Sequence, residues 1–494
     1  MRLHRGKLAL SLPSGRLGLK LAASGFQFSA DAPLQLNQEQ GKIHVVASGK
    51  GTAVNLDTIR LDLGKGTLQS RGVLDLAPGR RTLQISSNWQ NLTLPVGERR
   101  FHSPRGKLKL NGGLDDYTAD ASMQLEGGGL PATSLDLHAV GKRDGLRLEP
   151  VTLKLLDGRV QGTGMVAWRG GLSAELRLSG QGLNPGRLWP SWPGTLGGNG
   201  RVRLEQAAGG YVLTLGQWDV QGRLRERPVT LKLDSVLAPG AITLKRAELA
   251  SGDASLGLQG RLARDHSDLR WHIDVPDLAA LIPDGAGKVQ GRGEFQGSPA
   301  RPALSLKLQA QGVRSPWLRA GALDADMNVN LQEDNGIKVA LTADDLAWRG
   351  LAVKQAELQA AGSGSNHHYS LALKNQDGEL HLAGTGLYAD GRWEGRTNEL
   401  QLQYGDFGTW RLKQAATVRV SRKQLDAEPL CLVHDASSIC LGGNWRDAGH
   451  WEGHIAMQAV PFGLGKPYFP YFLDAQGNFD LKLHARREGR DIRA

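Results

Sequence analysis

The chain has 494 residues, 66 of them glycine, with 40% hydrophobic, 22% charged and only 6% aromatic residues and a formal net charge of +11. That balance is too apolar for a disordered tail, and its aliphatic, glycine-punctuated make-up is that of repeated β-strands rather than of a catalytic α/β domain. The basic residues stand singly, as in Leu153-Lys154-Leu155 and Leu231-Lys232-Leu233, and the denser stretches Arg223 to Arg227 and Arg486 to Arg493 interleave acids without a set of stacking aromatics. No nucleic-acid partner is expected, while a diffuse positive field suits anionic headgroups as well as it suits plain solubility.

In chain order, Met1-Arg2-Leu3-His4-Arg5 lacks the apolar core of a signal peptide, and Leu8, Leu10 and Leu12 already alternate with small or polar residues. The chain therefore reads as starting in mid-architecture, and with its abrupt end at Asp491 to Ala494 it is expected to be a fragment. No apolar run approaches the roughly 20 residues that cross a bilayer as a helix; Leu278-Ala279-Ala280-Leu281-Ile282 is among the longest. The apolar period is two almost throughout: Leu17, Leu19, Leu21; Leu304, Leu306, Leu308; Met327, Val329, Leu331; Phe479, Leu481, Leu483. Such alternation predicts strands with one apolar face. Turn pairs between them, Pro78-Gly79, Asp144-Gly145, Asn335-Gly336 and Asp390-Gly391, predict short antiparallel connections and hence a meander. The proline-bounded pieces Pro185 to Pro193, Pro276 to Pro283 and Pro461 to Pro470 each predict a turn of helix or a corner.

A spaced pattern recurs: small residue, x, aliphatic, x, small or Leu, x, Gly. Copies open at Gly66, Gly106, Gly158, Gly194, Ala254, Gly287, Gly378 and Ser437 and close on Gly72, Gly112, Gly164, Gly200, Gly260, Gly293, Gly384 and Gly443, with a looser copy from Tyr471 to Gly477. Leading copies lie 92 residues apart from Gly66 to Gly158, 96 on to Ala254 and 183 on to Ser437. This reads either as a higher period near 90 residues or as coincidence in a chain so rich in Gly and Leu. A glycine inside a strand permits a bend, a bulge or a close backbone approach, so the closing glycines are candidate curvature points. The aliphatic third positions Leu68, Leu108, Val160, Leu196, Leu256, Val289 and Leu380 are the candidate lining of a curved sheet's inner face.

No catalytic constellation stands out, whether a Gly-x-Ser-x-Gly elbow, a His-Glu-x-x-His helix or a Gly-Lys-Ser/Thr phosphate loop. The glycines from Gly287 to Gly297 lie in strand alternation with no long helix after them, which fits bending better than dinucleotide binding. Asp324 and Asp326 share a strand face with Asn328 and Asn330 and read as a solvated polar face. His367-His368 follows a Gly-Ser loop and reads as surface or strand-start histidine. The expectation is an all-β, non-enzymatic chain with no cofactor and no metal.

Several stretches resemble the TamB family of translocation and assembly module subunits, within the AsmA-like superfamily of envelope proteins. They are Gly158-Arg-Val-Gln-Gly-Thr-Gly-Met-Val-Ala-Trp168, Asp277-Leu-Ala-Ala-Leu-Ile-Pro283 with Gly287-Lys-Val-Gln-Gly-Arg-Gly293, Gly391-Arg-Trp-Glu-Gly395, and Leu430-Cys-Leu432 with Ile439-Cys-Leu-Gly-Gly-Asn-Trp445. The resemblance is carried by the portion 151–494, while 1–150 matches in pattern only. It implies the middle of a β-groove, curved like a taco and spanning the periplasm of a Gram-negative-type bacterium. The family's inner-membrane anchor and the C-terminal domain that meets an outer-membrane barrel partner (TamA-like) match no residue here. In an oxidising periplasm Cys431 and Cys440, flanking the turn-like His434-Asp435-Ala436-Ser437, are expected to pair; unpaired buried thiols and a Cys-His-Cys metal site lacking a fourth ligand are the alternatives.

Three functions follow as expectations. One is a conduit whose aliphatic face beds phospholipid acyl chains, since each methylene kept from water is worth about 0.8 kcal/mol and some ~30 of them oppose crossing water by on the order of 20 kcal/mol. Another is a scaffold for outer-membrane protein or autotransporter assembly by strand addition. The third is a spacer with a packed interior, distinguished from a conduit by a second sheet filling the inner face.

Overall fold

The structure is a computed structural model that describes residues 2–493 except 6–7, 12–15, 23–24, 37–38, 80, 97–98, 114, 128, 299–300, 333–335, 390, 448, 464–476 and 490. Two units, Met1–Pro239 and Gly240–Ala494, divide the chain. The strand Gly145–Leu155 runs through residue 150, where the portion that carries the resemblance meets the one that matches in pattern only.

In the first unit every strand from Gly25–Leu36 to Arg227–Ala238 pairs antiparallel with the next across a hairpin. At its start, Arg16–Ala22 and Leu8–Ser11 both pair with Gly25–Leu36. The second unit is likewise a hairpin meander, from Ala241–Ser251 onward, with one jog among the described residues. The strand Arg392–Tyr404 pairs through its first half with Ala416–Ser421 and through its second with Thr409–Leu412, and Leu425–His434 then pairs with both. Both units are all-β, as the alternation predicts.

Short 3-10 turns interrupt the meander at Pro185–Arg187, Leu278–Ala280 and Gly405–Phe407. The first two are the expected proline-bounded pieces, capped where Asn184 Oδ1 accepts from Gly186 N at 3.0 Å and Asp277 Oδ1 accepts from Ala279 N at 3.0 Å. Most of Pro461 to Pro470, nearly all of the looser repeat at Tyr471, and one residue each of the Asn335-Gly336 and Asp390-Gly391 turns lie outside the described residues.

Antiparallel register puts directly paired residues on one face, and successive residues of a strand on opposite faces. In the second unit one ladder of partners runs Leu256, Ile273, Gly291, Leu308, Ala325, Leu341, Leu358, Leu371, Leu382, Leu400 across ten strands. The next row on the same face runs Val275, Val289, Ala310, Leu323, Ala343, Ala356, Leu373, Leu380, Leu402, Trp410. The residues between them, Asp274, Gln290, Gln309, Asp324, Thr342 and Glu357, are exposed on the other face.

In each unit the main strand–strand contacts are between sheet neighbours, so among the described residues neither face carries a second sheet. What burial there is comes from neighbours in the same sheet and from the turn Leu278–Ala280, which packs Leu278 and Ala280 against Val275, Ala310, Val313 and Ala320.

Candidate functional site: the apolar face

The feature that distinguishes each unit is an aliphatic face over which, among the described residues, no second sheet is laid; in the second unit the turn Leu278–Ala280 packs on part of it. In the first unit the rows run Ile43, Leu61, Leu68, Trp89, Gly106, Met123, Leu135, Leu153, Val160 and Val151, Gly162, Leu178, Gly200. Of the residues singled out in the sequence, Leu68, Leu108, Val160 and Leu196 lie on this face of the first unit. Leu256, Val289 and Leu380 lie on the apolar face of the second. Period two put them there, since every one is the third residue of a copy that begins a strand or lies within one.

The closing glycines do two different things. Gly72, Gly164, Gly260 and Gly443 face, on the preceding strand, the residue next to a register shift, between Leu56 and Ile59, Leu148 and Val151, Leu244 and Ala247, and Ala427 and Leu430. A bulge of this kind sharpens the local twist. Gly260, at φ +126°, has a conformation that side chains resist, and a Cβ there would run into the Asp268 carbonyl oxygen. Gly112 shares that left-handed backbone, at φ +129°. At Gly106, Gly200, Gly293 and Gly384 the space a Cβ would need holds instead an aromatic ring from a neighbouring strand: Trp89, Trp218, Trp271 and Tyr369. Strand glycine covered by a cross-strand ring is a known stabilising pair. The sequence held both partners, but their pairing is set by register and could not be read from spacing.

Of the two places expected for His367, surface or strand start, the structure gives the second. It begins the strand His367–Lys374 and is 3% exposed, whereas His368 on the other face is exposed. Gly386 faces it across the hairpin, leaving room for a ring. Its Nδ1 lies 3.1 Å from the Ser363 carbonyl and its Nε2 accepts the Trp393 indole N–H at 2.9 Å. Tyr369 Oη and Thr397 Oγ1 meet at 3.2 Å alongside.

The opposite face is wet and charged. Asp324 accepts from Gln309 at 2.7 Å and Asp326 faces Lys307 at 3.4 Å, so these two acids are members of a solvated surface. Arg419 bridges Glu394 at 3.0 Å and Glu428 at 3.5 Å. The Glu394 hydrogen bond holds the guanidinium above its ordinary range, and the hydrogen bond from Thr417 holds the Glu428 carboxyl below its own. His484 likewise lowers Glu452, across a 2.6 Å contact. Cys431 and Cys440 face each other in the hairpin and are bonded as a disulfide. No cluster of His, Cys, Asp and Glu with the makings of a metal site occurs among the described residues. None of the described helices is long and apolar enough to cross a membrane.

Geometry thus defines a class: an all-β, antiparallel groove-type sheet with one aliphatic and one polar face in each unit. Residues 79–491 match the family described as "TamB, N-terminal domain", so the chain belongs to the TamB family. The translocation and assembly module subunit TamB of Haemophilus influenzae is 26% identical over 450 residues, covering 86% of this chain and 34% of that protein. The chain therefore spans about a third of the length of this curated relative.

Proposed function

We propose that the chain is the groove portion of a cell-envelope protein that carries hydrophobic cargo, phospholipid acyl chains above all, between the inner and outer membranes, and that it performs no chemistry. One observation carries the reading: rows of aliphatic and small residues such as Leu256 to Leu400 have no second sheet over them among the described residues. An uncovered aliphatic face of this extent is costly in water unless something apolar uses it. At about 0.8 kcal/mol per methylene, a bedded acyl chain regains most of what it would lose in crossing water, and it does so without a tight, slow-releasing pocket. The spacer alternative needs a packed interior, and the absence of a second sheet over these rows among the described residues speaks for the conduit instead.

Partners follow from the same reading. On this reading the protein sits in the periplasm, anchored in the inner membrane, and meets a TamA-like outer-membrane barrel. A second reading, strand-by-strand assistance to outer-membrane protein assembly, accords with the relative's name and with one local feature. The edge strand Arg16–Ala22 leaves Leu17, Leu19 and Leu21 at 78%, 63% and 76% exposure, and an open edge can receive an added strand.

Native mass spectrometry of protein released gently from its host separates the two. The conduit reading expects bound phospholipid that is depleted in Leu308→Asp and retained in Leu19→Asp. Nascent β-barrel peptide in place of lipid, lost in Leu19→Asp, would favour the assembly reading.

A further inference from the structure

Trp410 sits where the second unit departs from its hairpin pattern. The four-residue strand Thr409–Leu412 is inserted beside Arg392–Tyr404, and its one large ring lies on the apolar face, paired with Leu402. The ring is 2% exposed and packed with Leu400, Leu432 and Val460, with Leu380, Leu402, Leu412, Leu430 and Met457 around them. His434 holds the strand in place: its Nδ1 lies 3.1 Å from the Thr409 carbonyl and its ring 5.6 Å from the Trp410 ring. Yet Trp410 Nε1 is buried with no acceptor, the one such side-chain atom among the described residues. By contrast the indoles of Trp89, Trp168, Trp218 and Trp393 each donate to a protein acceptor.

An enclosed N–H without an acceptor has lost its hydrogen bond to water and gained none from the protein, and a Phe in its place removes the donor while keeping an aromatic ring. We infer that the Trp410 indole N–H is a specificity determinant for the ester carbonyl of an acyl lipid bedded on this part of the face. The inference rests on the lipid-conduit reading and adds to it a chemical preference for acyl esters over ethers. Aliphatic surroundings admit a chain of either kind, whereas a single donor among them rewards only a chain that bears an acceptor. An ester carbonyl is the acceptor at the boundary between acyl tail and headgroup, so the contact also fixes how far the lipid lies along the row. Because the ring is enclosed, the contact forms as the part-buried Leu402 and Met457 side chains give way to the lipid.

The test uses two probes of equal chain length, a diacyl phosphatidylcholine and its dialkyl ether analogue, offered to the full chain in mixed vesicles and read by native mass spectrometry. Wild type should retain the ester several-fold over the ether, and Trp410→Phe should bring that ester-to-ether ratio down toward one. Equal retention of the two lipids by wild type overturns the inference and leaves the conduit reading standing; this comparison needs no variant. Loss of both lipids alike in Trp410→Phe also overturns it, since that marks a packing role. Retention of neither lipid by wild type overturns the conduit reading itself.

Discussion

The two units share one architecture and differ in how their apolar faces are furnished. In the first, the rows are interrupted by the buried pair Ser70 and Ser87, whose hydroxyls meet at 2.7 Å, and by glycines seated under Trp89 and Trp218. In the second, aliphatic clusters form around Val275, around Ala343 and around Trp410. Ring-on-glycine contacts recur in both units, at Gly106 and Gly200 in the first and at Gly293 and Gly384 in the second, so what sets the second apart is its clusters of packed side chains. The difference teaches that an open sheet does not need a second layer everywhere, only enough small clusters and rim turns to keep its most apolar stretch from solvent.

Introducing a charge into the rows should give the largest effect and divide the units most clearly. Leu380→Asp puts a carboxylate against the Trp410 cluster, and chemical denaturation should show a loss of several kcal/mol. Leu68→Asp, which faces Leu61 and Trp89 across the ladder in the first unit, should cost less than half as much. Equal losses would mean that the two faces are packed alike.

Next come the glycines opposite bulges. Valine favours strands in general, yet Gly164→Val should drive its Cβ into the Glu175 carbonyl oxygen and Gly260→Val should add backbone strain at φ +126°. Each is expected to cost about 1 to 3 kcal/mol. Gly453→Ala, where a Cβ meets nothing within 4 Å, should be neutral or stabilising. Thermal melts rank the three, and higher melting temperatures for both valine variants would show that the glycines do not constrain the backbone.

Reducing the link between Cys431 and Cys440 comes third. The sequence separation is 9, so the closed loop is short and its removal should cost about 2 kcal/mol. Melting with and without a thiol reductant measures this, with Cys431→Ser as the control that should no longer respond.

The smallest effect is electrostatic and belongs to the polar face of the second unit. Glu428 has its carboxyl pKa lowered on folding, first by the hydrogen bond from Thr417. Its stabilising contribution is therefore fully present above the ordinary glutamate value of 4.5 and is lost as pH falls below it toward the folded value. Glu428→Gln should flatten the acid side of the melting-temperature profile slightly. An unchanged profile would remove Glu428 from the account.

Much of this fold was legible because strand alternation is a local signal. Leu304, Leu306 and Leu308 read as one face of a strand from spacing alone, and they lie on the apolar face of Arg301–Arg314. The proline-bounded pieces at Pro185 and Pro276 read as corners for the equally local reason that proline cannot continue a ladder. What escaped depends on which strand lies beside which. His367 is buried because Gly386 faces it and Trp393 reaches it, and no spacing rule links residues 26 apart across two hairpins. The jog that presents Trp410 was equally hidden, although Gly405 and Gly408 around Phe407 are the kind of punctuation that ends a strand early.

The central claim, that the aliphatic face and not the polar one meets acyl chains, is tested most directly by photo-crosslinking from adjacent residues of one strand. Leu341 and Thr342 are neighbours on opposite faces of Gly336–Trp348, so a photoreactive amino acid placed at either samples one face alone. In living cells, lipid adducts identified by mass spectrometry should form from position 341 and not from position 342. Adducts of equal yield from both positions, or protein adducts alone from position 341, would contradict the account.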